Sequence, residues 1–338
     1  ELHGETGWDR LVGADYKLNL FPATQDWPQE LRIKISQSLY KIGALKKFES
    51  YKELGKLSDQ PTIPGLTVDM VVDSDDDPTP DPAVSHSAAP TLLGVLMYCS
   101  THACPDLLRS VLYLARRKGA DKWGKQEHKL FRRLFQYTKY FMHRDATVFS
   151  VHKGEKWEVW CFPDADYAGN PDRRSTSGWV VYLVGVVFGS IVLLAAKSVL
   201  HSMVGLSTAE AELTALRDAL VHVFGILPGL ESLIGPVRFR IWTDSSAALG
   251  AVRRGVSRKL AYLRRVVDIS LRWLQQVCHP KDFSVVIDKI DTMSQWGDPM
   301  TKQLADEDFE YHKVFGLLIV SCFVIDNVTY WPALYPRC

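Results

Sequence analysis

The sequence predicts an α+β fold, in which a mixed five-stranded sheet with flanking helices follows a small helical region. Three strand patterns open the C-terminal half, at Trp157–Phe162, Trp179–Val184 and Val187–Leu194. A helix pattern then begins at Ser207 or Thr208 and extends to about Ile226, after which strand and helix patterns alternate. Consecutive strands followed by this alternation are typical of a mixed sheet covered by helices.

The later elements complete the order βββαβαβα. They are a strand at Arg238–Thr243, a helix at Ser245–Arg254, a helical basic segment at 257–277, a strand at Phe283–Ile290 and a helix from about Trp296. Apolar β-branched and aromatic residues favour the strands, and serines at the helix starts favour the helices.

Composition divides the chain into five segments. The segments are an unassigned N-terminal region (1–72), an acidic Pro/Ser-rich linker (73–90), a helical region (91–150), the sheet domain (151–312) and a C-terminal tail (313–338). Within the first, apolar residues at near-helical spacing predict a helix around Pro28–Ser50. Within the third, amphipathic patterns predict helices at 91–118 and 123–143, interrupted at Pro105.

One apolar run allows two interpretations. Residues Trp179 to Ala196 carry no charge, and a run of this length is close to what a bilayer-spanning helix needs. The alternative is a pair of buried strands with a turn near Val184–Gly189. Enrichment in Val and two internal glycines favour the strands, but a membrane partner stays open at this point.

Bulk composition adds few constraints. The 338 residues are 46% hydrophobic and 23% charged with a net charge of +1, which indicates buried cores and neither favours nor excludes a nucleic-acid partner. The six cysteines have no CxxC pair, so we expect reduced thiols in an intracellular protein. Because the chain begins with Glu1 and shows no signal-peptide pattern, we expect a fragment or a processed product.

Four acidic residues stand where a shared site would need them. Asp164 ends a strand, Glu212 lies one turn into a helix, Asp244 directly follows a strand, and Asp298 opens a late helix. Each alone is explained as a surface or capping carboxylate. Brought together by a mixed sheet, they offer the oxygen ligands that two Mg²⁺ ions prefer in a phosphodiesterase.

Residues 161–310 resemble the ribonuclease H domain of Ty1/copia-type LTR retrotransposon polyproteins. The stretches that carry the resemblance are PDADYAGNPDRRSTSGW (163–179), LSTAEAELTALRDAL (206–220), WTDSSAALGAV (242–252) and QWGDPMTKQL (295–304). Upstream, LLGVLMYCSTHACPDLLRSVLYLARR (92–117) and the helix around Trp123–Tyr140 resemble the end of the reverse transcriptase, its thumb or connection. No counterpart of the polymerase YxDD motif occurs, so this piece is not expected to polymerise DNA.

The resemblance implies a ribonuclease H-like sheet and hydrolysis of the RNA strand of RNA–DNA hybrids. By motif, the catalytic and metal-binding residues would be Asp164, Glu212, Asp244 and Asp298, holding two Mg²⁺ ions, with Mn²⁺ as a substitute. Asp164 would bridge both ions. The implied partners are the hybrid and the upstream reverse transcriptase, and the implied location is an intracellular particle or the nucleus.

Two departures from the family pattern favour an alternative. Tyr262 stands near the place of a histidine, and SIVLLAAKSVL (190–200) is far more apolar than the polar strand of relatives. A domesticated, catalytically silent fragment that serves as a structural or interaction subunit of a larger, even membrane-associated, assembly would explain both.

A basic segment follows the third carboxylate. Its members are Arg253, Arg254, Arg258, Lys259, Arg264 and Arg265. Such a cluster fits sequence-independent binding of backbone phosphates, or a solvated surface.

Overall fold

The computed structural model describes residues 9–11, 14–25, 28–66, 82–102, 104–117, 123–142, 147–170, 172–266, 269–278, 285–304, 308–309, 323–325 and 328–330. The chain forms two compact units. The first comprises Glu1–Ser150 with Gln303–Val320, and the second comprises Val151–Lys302 with Ser321–Cys338.

In its described residues, the first unit combines an antiparallel sheet with four α-helices. The strands are β1 (Asp9–Leu11), β2 (Ala14–Phe21) and β3 (Glu30–Ser36), and the helices are α1 (Ser38–Ser50), α2 (Pro82–His102), α3 (Leu108–Arg116) and α4 (Lys125–Tyr140). Their apolar faces meet in a core that includes Phe48, Phe131 and Phe135, whose rings contact one another. The next strand in the chain is β4 (Thr147–His152), within which the chain passes from the first unit, at Ser150, to the second, at Val151.

Two sequence predictions for this unit are wrong in part. The first half of the helix predicted at Pro28–Ser50 is strand β3, because Leu31, Ile33 and Ile35 also fit a period of two and the strand pairs with β2. Residues 82–90 of the predicted linker are helical, since α2 begins at Pro82 and buries Ala88 and Ala89. Residues 67–81 lie outside the described part of the chain.

The second unit contains the predicted five-stranded mixed sheet. Its strands are β5 (Trp157–Asp166), β6 (Thr176–Gly185), β7 (Ile191–Leu200), β8 (Arg238–Thr243) and β9 (Val285–Lys289), in the spatial order β7-β6-β5-β8-β9. Strand β6 pairs antiparallel with both β5 and β7, whereas β8 pairs parallel with β5 and with β9. The predicted fold class is therefore confirmed.

Helix α5 (Thr208–Ile234) covers one face of this sheet. Leu213, Leu216, Leu220 and Val223 recur at helical spacing and are buried against Val159 and other sheet residues. Among the described helices, α5 is long and apolar enough to cross a bilayer, a test that core helices of soluble proteins also pass. The run Trp179–Ala196 forms β6 and part of β7 with a turn at 186–188, so its interpretation as a membrane span is wrong.

Shorter elements complete the unit. They are α6 (Ser246–Arg254), α7 (Leu263–Val266), α8 (Leu271–Val277), α9 (Asp298–Thr301) and a hairpin of β10 (Phe323–Ile325) and β11 (Val328–Tyr330). Residues 257–277 therefore do not form the one helix that the sequence predicted. Turns occupy 258–262, and Ser270 caps a separate helix α8 by accepting a hydrogen bond from the Trp273 amide.

Candidate metal centre

Asp164 and Asp244 lie side by side because of strand register. Strands β5 and β8 are parallel, and Cys161 pairs with Ile241. Three residues further along each strand, the chain reaches Asp164 and Asp244. Since neighbouring strands are about 4.8 Å apart, two carboxylates in register at their carboxyl ends are brought close together.

Glu212 reaches this edge because α5 approaches β5 closely. Ala165 of the strand and Ala211 and Ala215 of the helix form a buried cluster of small side chains. A methyl group on each side allows the backbones to come nearer than larger side chains would. Ser207 caps the helix by accepting a hydrogen bond from the Glu210 amide, which fixes where α5 begins and so where Glu212 lies.

The segment 295–301 docks beside Asp164 through a buried glutamine. The Gln295 side chain is fully buried, and its Nε2 atom donates to the carbonyl oxygens of Pro163 (3.1 Å) and Trp242 (3.4 Å). These carbonyls belong to β5 and β8, so one amide group connects both strands that carry carboxylates. The Gln295 Oε1 atom accepts from the Gly297 amide at 3.3 Å.

Two glycines permit this close docking. A Cβ atom on Gly297 would lie 2.4 Å from the Phe162 carbonyl oxygen, and one on Gly178 would lie 2.5 Å from the Met300 Cβ. Gly178 pairs directly with Asp164 across β5 and β6. Any side chain at either position would push α9, and Asp298 with it, away from the sheet edge.

The structure brings three of the four predicted carboxylates into one cluster. Asp164, Glu212 and Asp244 each offer an oxygen atom, and these atoms lie within 4.8 Å of one another. Asp298 is buried next to them but is held by Lys302, whose Nζ atom lies 3.1 Å from Asp298 Oδ1 and 3.5 Å from Asp164 Oδ2. The hydroxyl of Thr301 also donates to Asp164 Oδ2.

The donor set fits a hard divalent cation. Asp164 Oδ1 is buried without a hydrogen-bond partner within the described part of the chain. An unsatisfied buried acceptor costs about 1–3 kcal/mol, which a bound cation would offset. Oxygen-only ligands suit Mg²⁺ or Mn²⁺ rather than zinc, which more often takes nitrogen or sulfur.

The electrostatics of the cluster also favour a cation. Burial, with the nearby charges of Asp164 and Asp244, raises the pKa of Glu212 to about 9. Burial and the Asp164 charge raise the pKa of Asp298 to about 8, although Lys302 opposes this shift. Like charges crowded in a desolvated site hold on to protons unless a positive ion replaces them.

Sequence reasoning missed Gln295, Thr301 and Lys302 as members of this site. All three stand in the stretch QWGDPMTKQL (295–304), one of the stretches that carry the family resemblance. The spacing of Asp298 and Lys302, four residues apart, was the available signal, because side chains at that spacing meet on one face of a helix. Nothing local marks Gln295, whose partners lie 132 and 53 residues away.

The predicted basic residues all lie on the surface. Arg253 and Arg254 end α6, Arg258 and Lys259 lie in the turns, and Arg264 and Arg265 belong to α7, and all six are exposed. Arg253 also forms a hydrogen bond, in which its Nη2 atom donates to the Ile287 carbonyl oxygen at 3.3 Å.

Tyr262 connects this segment to α5. Its hydroxyl donates to Glu210 Oε2 at 2.8 Å, and Glu210 is two residues before Glu212. The same Glu210 oxygen accepts from the Leu206 amide at 2.8 Å. Tyr262 therefore joins the basic segment to the helix that carries a carboxylate of the cluster.

Parts of this chain are similar to solved ribonuclease H structures. Ribonuclease H1 from Halobacterium salinarum NRC-1 is 21% identical over 43% of this chain and 94% of that one, with a TM-score of 0.31. The native protease–reverse transcriptase of prototype foamy virus is 14% identical over 51% of this chain and 22% of its own, with a TM-score of 0.27. The foamy virus ribonuclease H domain is 14% identical over 40% and 81%, with a TM-score of 0.25. No protein-family model and no curated protein matched the chain.

Proposed function

We propose that the second unit is a ribonuclease H-type nuclease that hydrolyses the RNA strand of RNA–DNA hybrids with divalent metal ions. The observation that carries this proposal is the convergence of Asp164, Glu212 and Asp244, from two strands and a helix, around a buried and unpartnered carboxylate oxygen. Converging carboxylates carry a desolvation cost; Lys302 offsets part of it through Asp164, and a bound cation would offset the rest.

A divalent ion would be held by Asp164, Glu212 and Asp244. Asp298 lies next to them and would be a ligand of a second ion. When bound, such ions activate a water molecule and stabilise the leaving oxygen of an in-line displacement at phosphorus. The protein's own part is to fix the ligands. Gln295 holds the two strand ends together, and Thr301 holds one oxygen of Asp164, which leaves the other directed to binding.

The exposed basic segment supports the proposed substrate. Lysine and arginine side chains on one surface segment bind phosphates irrespective of base sequence, and the binding weakens with salt. Selectivity for the RNA strand would depend on contacts to 2′-hydroxyl groups in the minor groove of the hybrid.

The retroelement context belongs to the same proposal. The motifs of 163–304 support an origin in a Ty1/copia-type polyprotein, in which residues 91–150 would be a remnant of the reverse transcriptase and the upstream polymerase a partner. The alternative of a catalytically silent fragment predicts the same fold with no cleavage, so one assay separates the two.

The test is cleavage of an end-labelled RNA–DNA hybrid by the full chain with Mg²⁺ and with EDTA. We expect metal-dependent cutting of the RNA strand alone, and loss of cutting by at least a hundredfold in Asp164→Asn and Glu212→Gln, since groups acting in a metal centre are each required. Glu231→Gln, at the far end of α5, is the matched control and is expected to retain activity.

Three outcomes are decisive. Cutting of both strands, or of duplex DNA equally well, would contradict the proposed substrate. Cutting that persists in Asp164→Asn would contradict the proposed site. No cutting by a folded chain in Mg²⁺ or Mn²⁺ would favour the silent fragment.

A further inference from the structure

A lysine already neutralises one side of the carboxylate cluster. The Lys302 Nζ atom lies 3.1 Å from Asp298 Oδ1 and 3.5 Å from Asp164 Oδ2. The side chains of Asp164 and Asp298 are 1% and 7% exposed, whereas that of Lys302 is 34% exposed. The ammonium group thus bridges two buried carboxylates, although the lysine side chain as a whole is partly exposed.

This arrangement divides the four carboxylates into two sets. Asp164, Glu212 and Asp244 form the convergent set, and Lys302 lies within ion-pair distance of Asp164 in that set. Asp164 and Asp298 share Lys302, and Asp298 is not part of the convergent set. Asp164 belongs to both, with Oδ2 committed to Thr301 and Lys302 and Oδ1 unpartnered in the described chain.

The geometry points to Lys302 as a positioning residue that occupies the place of the second cation, between Asp164 and Asp298. The inference rests on the proposed function and deepens it. The resting protein then binds one divalent ion, at Asp164, Glu212 and Asp244. A second ion enters only when the Lys302 side chain turns outward, because an ammonium group and a divalent ion between the same carboxylates repel each other.

Two properties of the side chain fit this role. Lysine carries a compact point charge on a flexible four-carbon stem, so it can neutralise a carboxylate pair and still move away. Its partial exposure gives it a path to solvent that does not require α9 to leave the sheet. A scissile phosphate that attracts the ammonium group would open the second position at the moment when it is needed.

The test is calorimetric titration of the full chain with Mg²⁺ alone, without nucleic acid. For the wild type we expect one bound ion. For Lys302→Met we expect a second ion to bind at least tenfold more tightly than it does to the wild type. Lys302→Arg, which retains the charge, is expected to bind one ion, and Lys156→Met, which removes a lysine charge at the opposite end of β5, is expected to match the wild type.

The outcomes separate this inference from the function on which it rests. Two ions of similar affinity in the wild type, or a second affinity unchanged in Lys302→Met, would overturn the role of Lys302 and leave the metal centre intact. If neither protein binds Mg²⁺ while both are folded by circular dichroism, the metal centre itself fails and the inference with it. Manganese titration followed by electron paramagnetic resonance gives an independent count of bound ions.

Discussion

The carboxylate cluster and the basic segment of the second unit are held in opposite ways. Each carboxylate is placed by buried contacts: strand register for Asp164 and Asp244, the alanine cluster for Glu212, and Gln295 with two glycines for Asp298. The basic side chains are exposed, although Leu260 and Leu263 of the same segment are buried in the core and the Tyr262 hydroxyl donates to Glu210 of α5. The groups proposed for chemistry are fixed by the core, whereas the groups proposed for phosphate binding need only share a surface.

The largest expected effect comes from enlarging the contact that positions Glu212. Ala211→Leu places extra side-chain volume between α5 and β5, which costs about 1–3 kcal/mol in unfolding free energy. We expect Mn²⁺ affinity to fall at least tenfold, because Glu212 is displaced with the helix. Thermal melts and metal titration measure the two effects.

Ala247→Leu on the exposed face of α6 is the matched control, and we expect it to change the unfolding free energy by less than about 0.5 kcal/mol. An Ala211→Leu protein with unchanged stability and metal affinity would show that the alanine contact does not position the cluster.

The next effect concerns the buried amide that joins β5 and β8. Gln295→Ala removes the donor to the Pro163 and Trp242 carbonyls, so we expect a loss of about 1–3 kcal/mol in unfolding free energy. Gln275→Ala, which loses one exposed hydrogen bond to the Arg253 carbonyl, should change stability by less than about 0.5 kcal/mol. Urea unfolding of both variants tests the comparison, and equal losses would refute it.

The third prediction uses the pH dependence of the metal-free protein. The pKa of Glu212 rises from 4.5 to about 9 on folding, so the folded state holds this proton more tightly than the unfolded state. That contribution to stability is fully present below about pH 4.5 and is lost as the pH rises towards about 9. Asp164→Asn removes a negative charge beside Glu212, so the pKa of Glu212 should fall. Each pKa unit of that fall is worth about 1.4 kcal/mol of unfolding free energy.

We therefore expect the melting temperature of the metal-free wild type to fall between about pH 5 and about pH 9. Asp164→Asn should flatten this decline, and Mg²⁺ should stabilise the wild type more at the higher pH. Asp172→Asn alters an exposed carboxylate that is paired with Arg174 and should leave the profile unchanged. A decline as steep in Asp164→Asn as in the wild type would argue against charge crowding in the cluster.

The smallest expected effect lies at the basic segment. Tyr262→Phe removes the hydrogen bond to Glu210, so we expect the Kd for an RNA–DNA hybrid to rise about fivefold, equivalent to about 1 kcal/mol, with Mg²⁺ affinity unchanged. Arg258→Ala should weaken binding too, and should reduce the slope of log K against log salt by about 0.9. Fluorescence anisotropy at several salt concentrations separates the two. A Tyr262→Phe variant that loses Mg²⁺ affinity instead would place the tyrosine in the cluster.

The first unit illustrates where sequence patterns mislead. Leu31, Ile33 and Ile35 fit both a helical and an alternating period, and pairing with β2 decides for the strand. The Ala- and Ser-rich residues after Pro82 have the composition of a linker, yet they form a turn of helix because Ala88 and Ala89 are buried.

The sequence by itself determined the α+β class of the second unit, the end of β8 before Asp244, and the helix start that precedes Glu212. These features depend on periodicity and capping, which are local. The sequence pattern ended the first strand of the sheet too early, because β5 extends to Asp166. Only the tertiary structure decided that three carboxylates converge, that Lys302 also contacts Asp164, and that Gln295 joins the two strands. The reason is physical: strand register and burial bring together residues such as Asp164 and Thr301, which are 137 positions apart, and no local pattern encodes that contact.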